Sequence, residues 1–188
     1  SGSPRRKELL TLAGFNFTVC PAKGEEVTTK TLPCDIVCEL AHQKAFEIAK
    51  AQKAPCYVIG ADTIVAFENR ILGKPKDSAD AVRMVSMLQG STHQVYTGVT
   101  LIEVCADGSL REKSFYEETN VHVCQMTKDE IASYVATGEP LDKAGAYGIQ
   151  GTFSIYVSGI EGDYFNVVGL PVSRLYHEFA AFQNAAHK

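Results

Sequence analysis

With 188 residues, 45% of them hydrophobic and 21% charged, the chain is long enough for one domain with a proper core, or for two closely joined lobes. Its formal net charge of −4 excludes broad, sequence-independent nucleic-acid binding, which needs a basic face, but leaves room for local phosphate pockets. No apolar run reaches the length of a membrane span and no charged-then-apolar leader opens the chain, so a cytoplasmic protein with no membrane or nucleic-acid partner is expected.

In chain order, Ser3 and Pro4 read as the N-cap and first-turn proline of a helix ending near Gly14. Arg5, Arg6 and Lys7 fall in its first turn, where the helix dipole is already positive. Three cations there need something negative above them. Phosphate is the usual partner, because free backbone N–H groups point the same way. Any strand feeding this helix would precede Ser1. Residues 15–19 read as a short strand, and residues 21–33 as a polar loop carrying Glu25 and Glu26.

Asp35 is placed to cap a helix running to about Gln52, with Ile36, Leu40, Lys44 and Ile48 at four-residue spacing. Lys44 either snorkels out of that apolar stripe or aims its ammonium into a pocket. Cys34, Cys38 and His42 would share one helix face and form the best metal candidate among the Cys and His residues. Structural zinc sites, however, draw four ligands from two pieces of chain, so packing is the preferred reading. None of the six cysteines sits in a Cys-x-x-Cys pair.

Residues 57–67 read as a buried strand interrupted by Gly-Ala-Asp-Thr. An acid inside such a run is costly unless it is paired or bound to a metal, which makes Asp62 the clearest single candidate for chemistry. Lys74, held between Gly73 and Pro75, is a further phosphate ligand candidate. Asp77 or Ser78 caps a helix to about Gln89. Residues 93–105 and 110–125 then form a hairpin about Asp107-Gly108, with His93 expected in a structural hydrogen bond. Thr127 and Glu130 form a capping box for a helix to about Thr137.

Residues 138–151 hold four glycines, of which Gly145, Gly148 and Gly151 recur at every third position. A loop so poor in large apolar groups is not explained by core packing. It is neither the dinucleotide fingerprint nor a P-loop. Residues 152–157 read as a strand and residues 161–166 as a turn. Pro171 opens a last helix with Val172, Leu175, Phe179 and Phe182 on one face. Alternating strands and helices around one hairpin predict an α/β fold with a mixed sheet, with the charged candidates at strand ends and helix starts.

These residues give an anion site (Arg5, Arg6, Lys44, Lys74) beside a carboxylate set containing Asp62. Together with Ser-Gly-Ser-Pro-Arg-Arg (1–6), Gly-Ala-Asp-Thr (60–63), Gly-Lys-Pro (73–75), Thr-His-Gln-Val-Tyr-Thr-Gly (92–98), Asp-Lys-Ala-Gly-Ala-Tyr-Gly-Ile-Gln-Gly (142–151) and Gly-Asp-Tyr-Phe-Asn-Val-Val-Gly-Leu-Pro (162–171), the chain resembles the Maf family of nucleoside triphosphate pyrophosphatases. The resemblance spans nearly the whole chain, as a single domain over residues 1–188.

The resemblance implies an elongated mixed central sheet flanked by helices in two lobes, like that of the inosine triphosphate pyrophosphatases. It also implies a homodimer and a divalent cation, Mg²⁺ or Mn²⁺. The implied reaction is hydrolysis of a nucleoside triphosphate to monophosphate and pyrophosphate. The version of residues 142–151 is similar to the branch acting on dTTP and UTP, with CTP or modified pyrimidine nucleotides as further candidate substrates, whereas the branch acting on 7-methyl-GTP carries a different sequence here. By motif, Asp62 is the proton acceptor, and Arg5, Thr63 and Gln150 are the specificity positions. Glu26 matches the acidic metal-side residue, with Glu25 as its rival. Asp62 acts as base or joins Glu26 as a metal ligand. Lys44 and Lys74 complete the catalytic set. Ser3, Arg6, Asp142 and Lys143 are further substrate contacts, the last two either pairing to shape the loop or reaching the phosphates. The competing reading is a nucleotide-binding regulator of cell division that works without turnover.

Overall fold

A computed structural model describes residues 2–53 and 55–185; Ser1, the first residue of the opening motif, lies outside them. The chain runs α1 (Pro4–Leu12), α2 (Pro33–Ala51), β1 (Cys56–Phe67), β2 (Arg70–Leu72), α3 (Ser78–Leu88), β3 (Thr92–Val104) and β4 (Leu110–Val123). It continues through α4 (Lys128–Ala136), the 3-10 turns Glu139–Asp142, Ala144–Ala146 and Thr152–Tyr156, β5 (Val157–Glu161), α5 (Tyr164–Val168) and α6 (Val172–Asn184).

The strands form one sheet in the order β2-β1-β3-β4-β5. The α/β class stands, but every neighbouring pair is antiparallel where a mixed sheet was expected. Two hairpins account for much of this, β1–β2 and β3–β4. The short β2 and α3 then return the chain so that β3 runs back along β1, from Cys56 opposite Val104 to Ala66 opposite Gln94. The expected strand at residues 15–19 does not form. Phe15, Phe17 and Val19 alternate correctly, but no strand pairs with them among the described residues.

Local chemistry sets most helix ends. The Ser3 hydroxyl accepts from the Arg6 amide at 3.4 Å, the Asp77 carboxylate from the Asp80 amide at 2.8 Å, and Thr127 with Glu130 closes the capping box. Helix α2 begins at Pro33 rather than at Asp35: proline needs no amide partner at the first position, and Asp35 drops into the first turn, where its charge suits the dipole. Residues 152–157 were expected to be a strand, yet a 3-10 turn forms first and the strand follows. That turn lets the fully buried Phe153 pack on Tyr134 and Tyr147, with ring centroids 5.0 and 4.8 Å away. The expected turn at residues 161–166 gives way to α5, capped by Asp163, whose carboxylate accepts from the Phe165 amide at 2.8 Å.

Two core clusters meet at the sheet. One gathers α3, α4 and the 3-10 turns around Val85, Leu88, Val121 and Phe153; the other gathers α1, α5 and α6 around Leu9, Val99, Leu170 and Leu175. Helix α2 lies on β1 and β3 at backbone contact. A Cβ on Gly60 would overlap the Ala41 carbonyl, and one on Gly98 the Val37 carbonyl. Gly60 therefore does not interrupt β1; it lets the helix approach. That close approach brings Lys44, one turn beyond Leu40, over Asp62.

Candidate active site

A cavity of about 700 Å³ opens where the two clusters meet. The eleven residues that the family resemblance assigns to the site line it: Ser3, Arg5 and Arg6 from the start of α1, Glu26 from the following loop, Lys44 from α2, Asp62 and Thr63 from β1, Lys74 after β2, and Asp142, Lys143 and Gln150 from the glycine-rich wall.

At its centre, Lys44 Nζ lies 2.6 Å from Asp62 Oδ1 and 2.9 Å from Glu26 Oε1. Lys44 thus does not snorkel away from the core; one ammonium joins two carboxylates. Asp62 is only 8% exposed, and this pairing explains how a charged group is tolerated inside β1. Glu26 reaches the same ammonium because α2 lashes the loop along its outer face at four-residue spacing. Glu47 accepts from the Lys23 and Gly24 amides, both at 2.9 Å. Gln43 binds both the amide and the carbonyl of Val27, and Glu39 accepts from the Thr28 hydroxyl. Of the two rival acids, Glu26 faces this cavity with Asp62, while Glu25 lines a neighbouring one.

The two carboxylates suit a hard cation such as Mg²⁺ or Mn²⁺, which takes one or two carboxylates and fills its other positions with water and phosphate oxygens. Among the described residues no third His, Cys, Asp or Glu joins them. Cys34, Cys38 and His42 lie elsewhere on α2, and His42 Nε2 is 2.6 Å from Glu112.

Arg6 is tied into the protein around the cavity. Its Nε donates to the Gly169 carbonyl at 2.8 Å and an Nη to Thr63 Oγ1 at 2.9 Å. Burial pushes its pKa down, with Asp62 acting in the opposite direction. A polar string continues beneath the site. Thr63 meets Thr97 Oγ1 at 2.9 Å, Thr97 donates to the Asn166 carbonyl at 3.1 Å, and Asn166 Nδ2 donates to Val95 O and Thr119 Oγ1 at 3.0 and 2.9 Å. Thr97, Thr119 and Asn166 are fully buried, so the string holds α1, the sheet and α5 in register under the cavity.

Facing this floor, Asp142 and Lys143 pair at 2.7 Å, and Lys143 Nζ also donates to the Glu139 carbonyl at 2.8 Å. The Lys143 pairing holds the Asp142 carboxyl below its ordinary pKa, and the Arg5 guanidinium adds to the effect from across the cavity. Gln150 is exposed, and its side chain makes no hydrogen bond among the described residues.

Two wall residues escaped sequence reasoning. Tyr147 lines the cavity with its hydroxyl 2.7 Å from Nε2 of the fully buried His93. The expected structural hydrogen bond of His93 is present, and burial lowers its pKa to about 4. The other missed residue is Glu139, whose carboxylate binds Thr152 and Tyr134. The Thr-His-Gln-Val-Tyr motif drew notice to His93, but nothing local pairs it with a tyrosine 54 residues away.

A larger cavity of about 1360 Å³ adjoins the first, between residues 14–22, α2 and residues 57–61 of β1. It shares Gly2, Arg6, Glu26 and Lys44 at its edge, but its walls are dominated by groups such as Leu10, Phe15, Phe17, Val19 and Ile48. The charged residues expected from the sequence gather in the smaller cavity.

Residues 1–182 match the sequence model of a family described as Maf-like protein. A dTTP/UTP pyrophosphatase of Agathobacter rectalis is 55% identical over 95% of this chain and 93% of its own length. Similar proteins of the same description occur in Lachnoclostridium phytofermentans, 51% identical over 97% of this chain and 92% of theirs, and in Bacillus cytotoxicus, 50% identical over 99% and 95%.

Proposed function

The chain belongs to the Maf-like protein family, and on that premise we propose that it hydrolyses dTTP and UTP to the nucleoside monophosphate and pyrophosphate. The observation that carries the reading is the Glu26–Lys44–Asp62 cluster placed in one cavity with Arg5, Lys74 and Gln150. The description shared by relatives at 50–55% identity supports the same reaction and substrates.

Arg5, Lys44 and Lys74 neutralise and orient a triphosphate carrying about four negative charges. Glu26 would hold a divalent cation, which supplies polarisation of the α-phosphate when bound, and Asp62 serves as the base rather than as a second ligand. Asp62 Oδ1 is engaged by Lys44, and the carboxylate's other oxygen takes the proton of the attacking water. The new P–O bond forms at the α-phosphorus as the α–β bridging bond breaks, and pyrophosphate leaves with that oxygen. Thr63, held by Arg6 and Thr97, contacts the nucleotide from the floor. Ser3, Asp142 and Lys143 line its path, and Gln150 offers a donor and an acceptor to a pyrimidine edge.

A cytoplasmic homodimer, each chain a single domain over residues 1–188, is part of the same proposal. It draws on the family resemblance and on a net charge of −4 that disfavours nucleic acid. Among the described residues no helix is long and apolar enough to cross a membrane. A cell-division regulator without turnover is not favoured, because the similar proteins are described as pyrophosphatases.

Purified protein with Mg²⁺ should release pyrophosphate and monophosphate from dTTP and UTP in preference to CTP and 7-methyl-GTP. Release of orthophosphate alone would sink the α–β cleavage, and equal rates on all four would sink the base preference.

A further inference from the structure

We infer that Glu139 is a positioning residue for the wall carrying Gln150, and that it thereby governs how tightly the nucleobase is held. The inference rests on the pyrophosphatase reading above. Residues 138–151 are anchored in the core at Pro140, Ala146 and Tyr147, and the two ends of the stretch are joined to each other. Glu139 Oε2 accepts from the Thr152 amide at 2.8 Å and from the Thr152 hydroxyl at 2.7 Å, while Oε1 accepts from the Tyr134 hydroxyl at 3.3 Å. The Glu139 backbone carbonyl accepts from Lys143, fixing the Asp142–Lys143 pair within the same ring.

Three further features fit this clamp. Thr152 opens a 3-10 turn whose N-cap, Gly151, has no side chain to offer its free amides, and the Glu139 carboxylate supplies the acceptor from across the loop. A Cβ at residue 151 would overlap that carboxylate, so the glycine and the acid fit as a pair. Partial burial pushes the Glu139 carboxyl up, but the Thr152 and Tyr134 hydrogen bonds and the Lys143 charge outweigh it, and its pKa lies below the usual value. At neutral pH the side chain is ionised and acceptor-only, as its donors require.

Gln150 sits between two fixed points. On one side Tyr147 is pinned by His93, and Gly145 donates its amide to the Gly73 carbonyl at 3.0 Å. On the other side stands the Glu139–Thr152 clamp. With no hydrogen bond of its own among the described residues, Gln150 takes its direction from the backbone between them. Weakening the clamp frees one side of that span and leaves Arg5, Lys44 and Lys74 where they are. Base contacts loosen; phosphate contacts do not.

The test uses the whole protein with Mg²⁺. Glu139→Gln keeps the size and one acceptor but removes the charge, and Thr152→Val removes the partner hydroxyl from the other side. For wild type and both variants, binding of dTMP and of inorganic tripolyphosphate is measured, with steady-state kinetics on dTTP and 7-methyl-GTP. Both variants should bind tripolyphosphate within about twofold of wild type and dTMP about tenfold more weakly, the scale of one charge-assisted hydrogen bond. KM for dTTP should rise more than kcat falls, and the preference for dTTP over 7-methyl-GTP should narrow. Unchanged dTMP affinity and base preference would overturn the inference, as would equal losses for dTMP and tripolyphosphate, the mark of a merely structural role. No turnover by wild type would sink the pyrophosphatase reading and this inference with it, and that failure shows before any variant is compared.

Discussion

Asp62 is a buried acid whose Oδ1 is held by Lys44 at 2.6 Å, and this arrangement suits a base whose orientation must not drift. Asp62→Asn retains an acceptor for Lys44 but cannot take a proton. Its kcat on dTTP should fall by about 10² to 10⁴, with nucleotide affinity within a few-fold of wild type by calorimetry; a variant retaining wild-type kcat would remove Asp62 from the proton-transfer role. His93 poses a different question, one of stability. Burial first, and the neighbouring His122 second, hold its pKa at about 4. Because the folded value lies below the unfolded one, stability from the neutral ring is complete above about pH 6.5 and is lost as pH falls toward 4, by at most about 3 kcal/mol. Between pH 7.5 and 4.5, urea denaturation should therefore cost wild type more than His93→Gln, whose amide does not titrate. Equal losses would place the acid sensitivity elsewhere.

Much of the active face depends on two elements meeting without side chains between them. Gly98→Ala should push α2 off β3, because its new methyl meets the Val37 carbonyl. Overpacking against backbone costs about 1–3 kcal/mol and should lower the melting temperature by several degrees. It should also weaken activity, since Lys44 rides on the displaced helix; an unshifted melting temperature would show that the helix has slack. Helix ends with a side-chain cap, such as Ser3 and the Thr127–Glu130 box, were legible from single residues. The 152–157 segment was not. Its apolar residues satisfy a strand pattern, and the preference for a 3-10 turn comes from Phe153 packing on Tyr134 and Tyr147. The motif already preferred Glu26 to Glu25, but that Glu26 reaches the Lys44 ammonium depends on the outward face of α2, whose Glu39, Gln43 and Glu47 hold the loop.

Across the whole molecule, residues separated by as many as 167 positions, from Gly2 to Gly169, line one cavity between two cores. Asp62 and Lys44 were legible because a charge stands inside β1 and inside the α2 stripe, and Arg5, Arg6 and Lys74 because cations stand at a helix start and on stiff backbone; Glu26, Thr63 and Gln150 came only with the family resemblance. The all-antiparallel sheet was not legible, because strand direction is decided by which segments pair, and residues 15–19 look like a strand without pairing among the described residues. Nor was the wall's support, since His93 and Glu139 act through partners 54 and 13 residues away. The proposed reaction is water attack at the α-phosphorus, arranged by Asp62 and the cations around it. Hydrolysis of dTTP in ¹⁸O-labelled water, followed by mass analysis of both products, tests it directly. One ¹⁸O should enter dTMP and none should enter pyrophosphate; label in pyrophosphate, or in released orthophosphate, would contradict it.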